Sequence, residues 1–238
     1  MKLHVTEWGG EGPTAVLVHG LLSDHGGWHR LGPLLARRGW HVLAPDLRGH
    51  GLSPRATYSP AEWAADLVET LRPKPDLALG HSLGGLALAL AVEKLRPGRA
   101  VYVDPAWRMT AEQHESYRSN WEQQLRWTKE ELSSAYPRWP EADVEARWTS
   151  QKRFDPRCIR GLAPGGGHDL APGRAVVPSL VLLADPSDFV PPAAAEELRR
   201  AGFEVTAVRG AGHSVFRDDF DGFLDALDRW LQVESATP

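Results

Sequence analysis

Short runs of β-forming residues alternate with longer helical patterns along most of this 238-residue chain, and this alternation limits the folds it can adopt. Strands that are each followed by an amphipathic helix build a mainly parallel sheet with helices on both faces. The predicted strands are Thr14–Val18, His41–Ala44, Leu77–Leu79, Ala100–Val103, Ser179–Ala184 and Val205–Val208, with Leu3–Trp8 as an antiparallel edge. The covering helices are predicted over Trp28–Arg38, Pro60–Leu71, Leu83–Leu95, Pro192–Ala201 and Phe216–Leu231. The predicted fold class is therefore α/β, with a doubly wound and mainly parallel sheet.

One segment, residues 105–173, interrupts the alternation because it contains no convincing strand pattern. Helical patterns cover Ala111–Trp127 and Ala142–Trp148, so we predict a helical cap at 105–173, inserted into a core formed by 1–104 and 174–238. The cap holds five of the ten tryptophans, namely Trp107, Trp121, Trp127, Trp139 and Trp148. Large aromatic side chains can stabilise a subdomain with little core of its own, or they can line an apolar pocket. The sequence leaves both explanations open, and the second makes Trp107, Trp121 and Trp127 candidate pocket residues.

Composition and charge exclude several classes of protein. Hydrophobic residues make up 42% and charged residues 24% of the chain, as in an ordinary globular domain. The formal net charge of −4 predicts no basic surface for nucleic acid or for an anionic membrane, so neither is an expected partner. The single cysteine, Cys158, rules out an internal disulfide, and the apolar run Leu83–Val92 is too short to span a bilayer. Since the first residues have no signal-peptide pattern, the expected location is the cytoplasm. The sequence does not decide whether the chain forms a homo-oligomer.

The segment Gly80–Gly84 has the pattern Gly-x-Ser-x-Gly and lies between a predicted strand and a predicted helix. Glycines at its two ends remove the Cβ atoms that would block a sharp turn. Such a turn holds the Ser82 hydroxyl outside the carboxyl end of the sheet. The helix N-terminus next to it favours negative charge on a bound substrate oxygen. Ser82 is therefore a candidate nucleophile.

A serine hydroxyl is a poor nucleophile unless a base accepts its proton. His213 lies in the loop after the last predicted strand and before the final helix, where such a base is needed. His25 and His29 are four residues apart beside Asp24, but the glycines between them make a regular helix doubtful as a metal-binding scaffold. We therefore predict no metal and no cofactor.

With these residues in place, the chain resembles the α/β-hydrolase fold superfamily over nearly its full length. Two further segments carry the resemblance, His19–Leu22 after the first central strand and Asp46–Ser53 after the second. Both are typical of the branch with a helical cap between strands six and seven. The run Asp46–Ser53 is expected to fix a loop by hydrogen bonds and glycine turns rather than to act in the chemistry.

The resemblance implies a role for each site residue. Ser82 is the nucleophile, His213 is the general base, and the backbone N–H groups of Leu21 and Leu83 form the oxyanion hole. His19 orients the oxyanion loop, by the same resemblance. His81, beside the nucleophile, is a candidate for the pocket floor.

The acid of the triad is harder to assign, because the sequence departs from the family spacing. The resemblance places the acid three residues after the end of the strand Ser179–Ala184, but that position is Ser187, which cannot carry the charge. Asp188 and Asp185 lie on either side of it, and Asp104 follows the preceding strand. We favour Asp188, which comes just before Phe189–Pro191, with Asp185 second and Asp104 third.

The predicted activity is hydrolysis through an acyl-serine intermediate, with a small-molecule acyl substrate as the partner. The aromatic cap suggests a small or medium apolar ester, lactone or thioester. The same residues also serve carbon–carbon bond hydrolysis, perhydrolysis and acyl transfer or cyclisation, by resemblance, and the sequence does not separate these reactions. A protein that binds a ligand under the cap without turnover is the alternative from a different class.

Overall fold

A computed structural model describes residues 1–235 of the chain. Its strands are β1 (Val5–Trp8), β2 (Thr14–Val18), β3 (His41–Pro45), β4 (Leu77–His81), β5 (Arg99–Val103), β6 (Arg108–Met109), β7 (His168–Asp169), β8 (Ser179–Leu183) and β9 (Glu204–Ala207). Seven of them form one sheet in the order β1-β3-β2-β4-β5-β8-β9, in which only β1 is antiparallel to its neighbour. The α/β fold class predicted from the sequence is confirmed, including the antiparallel edge.

A 3₁₀ helix and ten α-helices surround the sheet within the described residues. The 3₁₀ helix is His25–Trp28, and the α-helices are α1 (Leu31–Arg37), α2 (Pro60–Thr70), α3 (Leu83–Leu95), α4 (Ala111–Gln124), α5 (Lys129–Ala135), α6 (Glu141–Lys152), α7 (Arg157–Leu162), α8 (Pro192–Arg200), α9 (Val215–Asp218) and α10 (Phe220–Ser235). Two predicted helices are each divided in the structure. The pattern Trp28–Arg38 contains α1 after the short 3₁₀ turn, and Phe216–Leu231 breaks at Asp219, whose carboxylate accepts the Gly222 N–H at the start of α10.

The central strands are buried on both faces, which gives the sheet two apolar layers. Along β4, Leu77 and Leu79 point into the layer that contains α1 and α10, whereas Ala78 points into the layer that contains α2 and α3. Along β2, Ala15 and Leu17 alternate with Val16 and Val18 in the same way. Strands that are covered on both faces appear in a sequence as continuous apolar runs. The central strands could therefore be predicted from the sequence.

The segment between β5 and β8, which we call the cap (residues 105–173), is mainly helical. Helices α4 and α5 each begin with a capping box, formed by Thr110 with Gln113 and by Thr128 with Glu131. The prediction that this segment lacks strands was wrong in one detail, because β6 and β7 pair as a short antiparallel ribbon. Strands of two residues are too short for a period-2 pattern to be read from sequence.

Among the helices of residues 1–235, none is long and apolar enough to cross a membrane.

Candidate active site

Ser82 forms a tight turn between β4 and α3. Its backbone angles are φ 52° and ψ −116°, a strained conformation for a residue with a side chain. The Ser82 N–H donates to the Val103 carbonyl at 3.0 Å, and its own carbonyl accepts from Leu86 in α3. The turn is therefore fixed on both sides by backbone hydrogen bonds. Its hydroxyl has no hydrogen-bond partner in the described part of the chain and faces a cavity.

Glycines make this turn possible because the backbone is closely packed around it. A Cβ on Gly80 would lie 2.5 Å from the Gly84 carbonyl oxygen, and one on Gly84 would lie 2.3 Å from the Val18 oxygen. A Cβ on Gly20 would come within 2.7 Å of His81 Nδ1. The neighbours of Gly80 and Gly84 are backbone atoms, which cannot move aside as a flexible side chain can. The glycines of the sequence pattern thus have the steric role that was predicted for them.

His213 lies in the loop after β9, beside the end of β5. Its Nδ1 is 2.7 Å from Oδ2 of Asp104, whose side chain is only 1% exposed. The other carboxylate oxygen, Oδ1, accepts the Ala184 N–H at 3.2 Å. A proton on Nδ1 is the arrangement this hydrogen bond requires, so the lone pair of Nε2 is available to accept a proton. His81 donates from Nε2 to the His213 carbonyl at 2.9 Å and holds the loop on its other side.

The acid that pairs with His213 is therefore Asp104, and our preference for Asp188 was wrong. In the parallel register of β4 and β5, His81 is opposite Val103, so the next residue of each strand, Ser82 and Asp104, lie side by side. Asp188 and Asp185 are both exposed. From the loop after β8, it is the ring of Phe189 that packs on the His213 ring, with centroids 4.8 Å apart.

The N–H groups expected to form the oxyanion hole, those of Leu21 and Leu83, have no acceptor among residues 1–235. Leu83 is the first residue of α3, where N–H groups point out of the helix. Leu21 lines the cavity in front of Ser82. His19 supports the loop that carries Leu21, because its ring bonds the Gly20 carbonyl at 2.8 Å and the Leu47 N–H at 2.9 Å. Burial lowers the pKa of His19, so this ring is neutral and can both donate and accept.

The cavity in front of Ser82 has a volume of about 100 Å³. It is lined by Leu21, Leu22, Ser23, His81, Ser82, Trp121, Gln124, Tyr136, Trp139, Arg147, His213, Ser214, Phe216 and Arg217. Of the predicted pocket residues, His81 and Trp121 are among them. Burial and the nearby His213 keep the pKa of His81 well below its usual value, so the floor of the cavity is a neutral imidazole.

The other two predicted pocket residues have structural roles. Trp107 is buried between Tyr102 and Phe203 in the main core, and its indole N–H donates to the Gly85 carbonyl. Trp127 packs against the small core of the cap, which is formed by Leu132, Trp139 and Val144. Trp121 thus lines the cavity, whereas Trp107 and Trp127 pack in apolar cores. Large apolar side chains give the same sequence signal in both environments.

Two cavity residues that sequence reasoning missed are arginines. Arg147 on α6 and Arg217 on α9 are each 4% exposed. Isolated cationic side chains occur on every protein surface, so nothing in the local sequence marked them as buried.

The possible metal site considered from the sequence combined His25 with His29 and Asp24, but the structure groups His25 with other residues. His25 lies near His4 and Asp46, with potential ligand atoms within 4.8 Å of one another. The Asp46 carboxylate already accepts hydrogen bonds from the His25 ring, the His25 N–H and the Leu52 N–H. Burial opposes ionisation of Asp46, but these bonds, with the His25 ring bond the strongest, lower its pKa to about 2. We assign this cluster to holding the loop Asp46–Ser53.

Comparisons with known proteins agree with this fold. A sequence model of the Alpha/beta hydrolase family matches residues 15–226. The chain is 38% identical over 119 residues to lipase LipV of Mycobacterium tuberculosis, an alignment that covers 44% of this chain and 42% of LipV. It is 26% identical over 256 residues to N-formylmaleamate deformylase of Pseudomonas putida, covering 97% and 93% of the two chains.

A solved structure of E-2-(acetamidomethylene)succinate hydrolase superposes with a TM-score of 0.83 and 25% identity, covering 97% of this chain and 95% of that one. The alignment with LipV spans less than half the length of that lipase. The family match, by contrast, spans most of the chain and includes the serine turn, Asp104 and His213. The chain belongs to the alpha/beta hydrolase family.

Proposed function

We propose that this protein is a serine hydrolase that cleaves a small acyl substrate through an acyl-Ser82 intermediate. The observation that carries the proposal is the 2.7 Å hydrogen bond between His213 Nδ1 and Asp104 Oδ2, beside a serine on a strained turn. A buried carboxylate, an imidazole of fixed tautomer and a hydroxyl that faces a cavity are the three groups that acyl transfer requires.

In this mechanism His213 Nε2 accepts the Ser82 proton while Oγ attacks the substrate carbonyl. The negative charge moves to the carbonyl oxygen, where the N–H groups of Leu21 and Leu83 stabilise it. Asp104 stabilises the imidazolium. His213 then donates its proton to the leaving group, and the carbon–heteroatom bond breaks. Water attacks the acyl-enzyme in a second cycle, and the proton returns to Ser82.

The relatives that span the whole chain widen the range of bonds to consider. N-formylmaleamate deformylase and E-2-(acetamidomethylene)succinate hydrolase are named for N-acyl compounds, whereas the sequence of this chain suggested esters, lactones and thioesters. An acyl-serine mechanism cleaves both C–N and C–O bonds. A panel of test substrates should therefore contain N-acyl compounds as well as esters.

A fluorophosphonate probe tests the proposal most directly, because it phosphonylates an activated serine and leaves ordinary serine hydroxyls unmodified. The intact mass of the wild-type protein should rise by one phosphonyl group, with loss of fluoride. Ser82→Ala is the control and should stay unlabelled. Cys158 is a poor competing nucleophile, because burial raises the pKa of its thiol. Labelling of Ser82→Ala to the same extent, or no labelling of a folded wild-type protein, contradicts the mechanism, and the second result favours a ligand-binding protein.

A further inference from the structure

Arg147 is a buried cation without an anion. Its side chain lines the same cavity as Ser82. Its guanidinium donates to Gln151 Oε1 at 3.0 Å and to Gln124 Oε1 at 3.2 Å, and both acceptors are neutral amides. No carboxylate in residues 1–235 forms an ion pair with it. Arginine is almost never fully buried unless it is paired, because removing its charge from water is costly.

A second cation lies nearby and increases this cost. Arg217 also lines the cavity, and its Nε is buried without a hydrogen-bond partner in the described residues. Burial and the neighbouring Arg217 charge lower the pKa of Arg147 to about 10, so Arg147 stays protonated at neutral pH. The two arginines thus repel each other within one small, enclosed space.

Acidic groups near Arg217 do not neutralise the pair. The closest is Asp143, whose Oδ1 is 3.9 Å from Arg217 Nε, but Asp143 also pairs with Arg30 at 3.3 Å. Asp24 and Asp218 act on Arg217 from further away. The hydrogen-bond acceptors of Arg147 itself, Gln124 and Gln151, are neutral amides. The lining of the cavity in front of Ser82 therefore contains two arginines and no carboxylate.

We propose that the acyl substrate carries a carboxylate and that Arg147 binds it, with Arg217 as the second cation. This inference rests on the proposed function, since it names the substrate class of the same site. A planar guanidinium pairs with a carboxylate through two parallel hydrogen bonds, which fixes the direction of the substrate as well as its position. Binding would supply the missing anion and place the acyl carbonyl at Ser82. The apolar substrate predicted from the sequence is replaced by a small acidic one.

The size and walls of the cavity limit that acid. A volume of about 100 Å³ accepts a short chain with a single acyl group and a single additional carboxylate. Trp121, Tyr136 and Trp139 form walls that exclude water from the ion pair, which strengthens it. We therefore expect an ester or amide of a short dicarboxylic acid.

The test measures binding of the product class, so that it does not depend on turnover. Unbranched dicarboxylates from malonate to adipate, and the corresponding diamides, are titrated by calorimetry into Ser82→Ala. We expect at least one dicarboxylate to bind at least tenfold more tightly than its diamide. Adding Arg147→Gln should remove the preference, a loss of about 10- to 100-fold for a charged hydrogen-bonded pair. Arg147→Lys should retain part of it, and Arg160→Gln, at an exposed position of the cap, should retain all of it.

Stability separates this role from a structural one. If Arg147 is a substrate-binding cation, replacing it by neutral glutamine relieves an unpaired buried charge, so the Tm of Arg147→Gln should be unchanged or higher. A lower Tm together with an unchanged dicarboxylate preference overturns the inference, as does a wild-type site that binds no dicarboxylate better than its diamide. Fluorophosphonate labelling of the wild type is scored separately. If the wild type is labelled but shows no dicarboxylate preference, the serine hydrolase proposal stands and the carboxylate-binding inference is wrong. If it binds dicarboxylates preferentially but is not labelled, only the carboxylate site stands.

Discussion

At the scale of single residues, the acid of the site carries the clearest prediction. Asp104 is 1% exposed and bonded to His213, whereas Asp188 is exposed. We expect Asp104→Asn to lower kcat by about 10⁴, because an amide in this position favours the wrong imidazole tautomer. Asp188→Asn should stay within about twofold of wild type. Circular dichroism checks that both variants fold, and kcat on the best ester or amide from the panel is the measurement.

If Asp188→Asn loses activity and Asp104→Asn does not, the acid is Asp188, as the sequence spacing favoured. The buried position of Asp104 makes a folding check important. If Asp104→Asn unfolds, Asp104→Glu provides a second test, since it keeps the charge but moves it by one methylene. Asp104→Glu should retain more activity than Asp104→Asn if activity requires a negative charge beside His213.

At the scale of elements, the contact between β2, β4 and α3 depends on glycine. A Cβ on Gly84 would lie 2.3 Å from the Val18 oxygen and 2.5 Å from the His19 oxygen. Both are backbone atoms, so α3 would have to move away from the sheet. We expect Gly84→Ala to lower the free energy of unfolding by about 1–3 kcal/mol, the usual cost of overpacking. Gly10→Ala, where nothing lies within 4 Å, is the matched control. Equal denaturation midpoints for the two variants would contradict this packing.

The cap helices carry tryptophans with two different roles, and substitution should separate them. Trp121 lines the cavity and stacks on Tyr117 at 5.5 Å, whereas Trp127 packs on the small core of the cap. We expect Trp121→Leu to change KM and the preference for acyl chain length with little loss of stability. Trp127→Leu should lower Tm and leave the preference unchanged. The measurement is kcat/KM across a chain-length series, together with Tm. A change of preference in Trp127→Leu alone would reverse the assignment.

At the scale of the whole molecule, the sequence predicted what is local and missed what depends on strand order. Ser82 and His213 were identified because each lies in a short motif next to a strand or helix end. Asp104 was ranked third because its place beside His213 arises from the order β5-β8-β9 in the sheet, in which β5 is far in sequence from the other two strands. Arg147 was missed altogether because its burial depends on how α6 packs over the cavity. Sequence periodicity reports which face of an element is apolar, but not which polar side chain of another element lies against it.

Stability of the whole molecule should depend on buried histidines in a definite direction. Burial lowers the pKa of His19, His50 and His81, in the case of His50 to about 3. In the unfolded chain these rings titrate near 6.5, so below that pH they bind more protons in the unfolded state than in the folded state, for His50 down to about pH 3. These three rings therefore make the free energy of unfolding fall as the pH falls below 6.5. His25 acts in the opposite direction, since its bond to Asp46 raises its pKa.

His50 offers the sharpest test of this effect. Its Nδ1 donates to the Arg48 carbonyl at 3.0 Å, while Nε2 is buried without a partner in the described residues, so protonation would create a buried charge. It should contribute about 1.4 kcal/mol of lost stability for each pH unit between 6 and 4. His50→Asn keeps a donor near the Arg48 carbonyl but cannot titrate. We expect urea denaturation of this variant to show a pH slope smaller by that amount. Parallel pH profiles for His50→Asn and wild type would mean that His50 is not held neutral by burial.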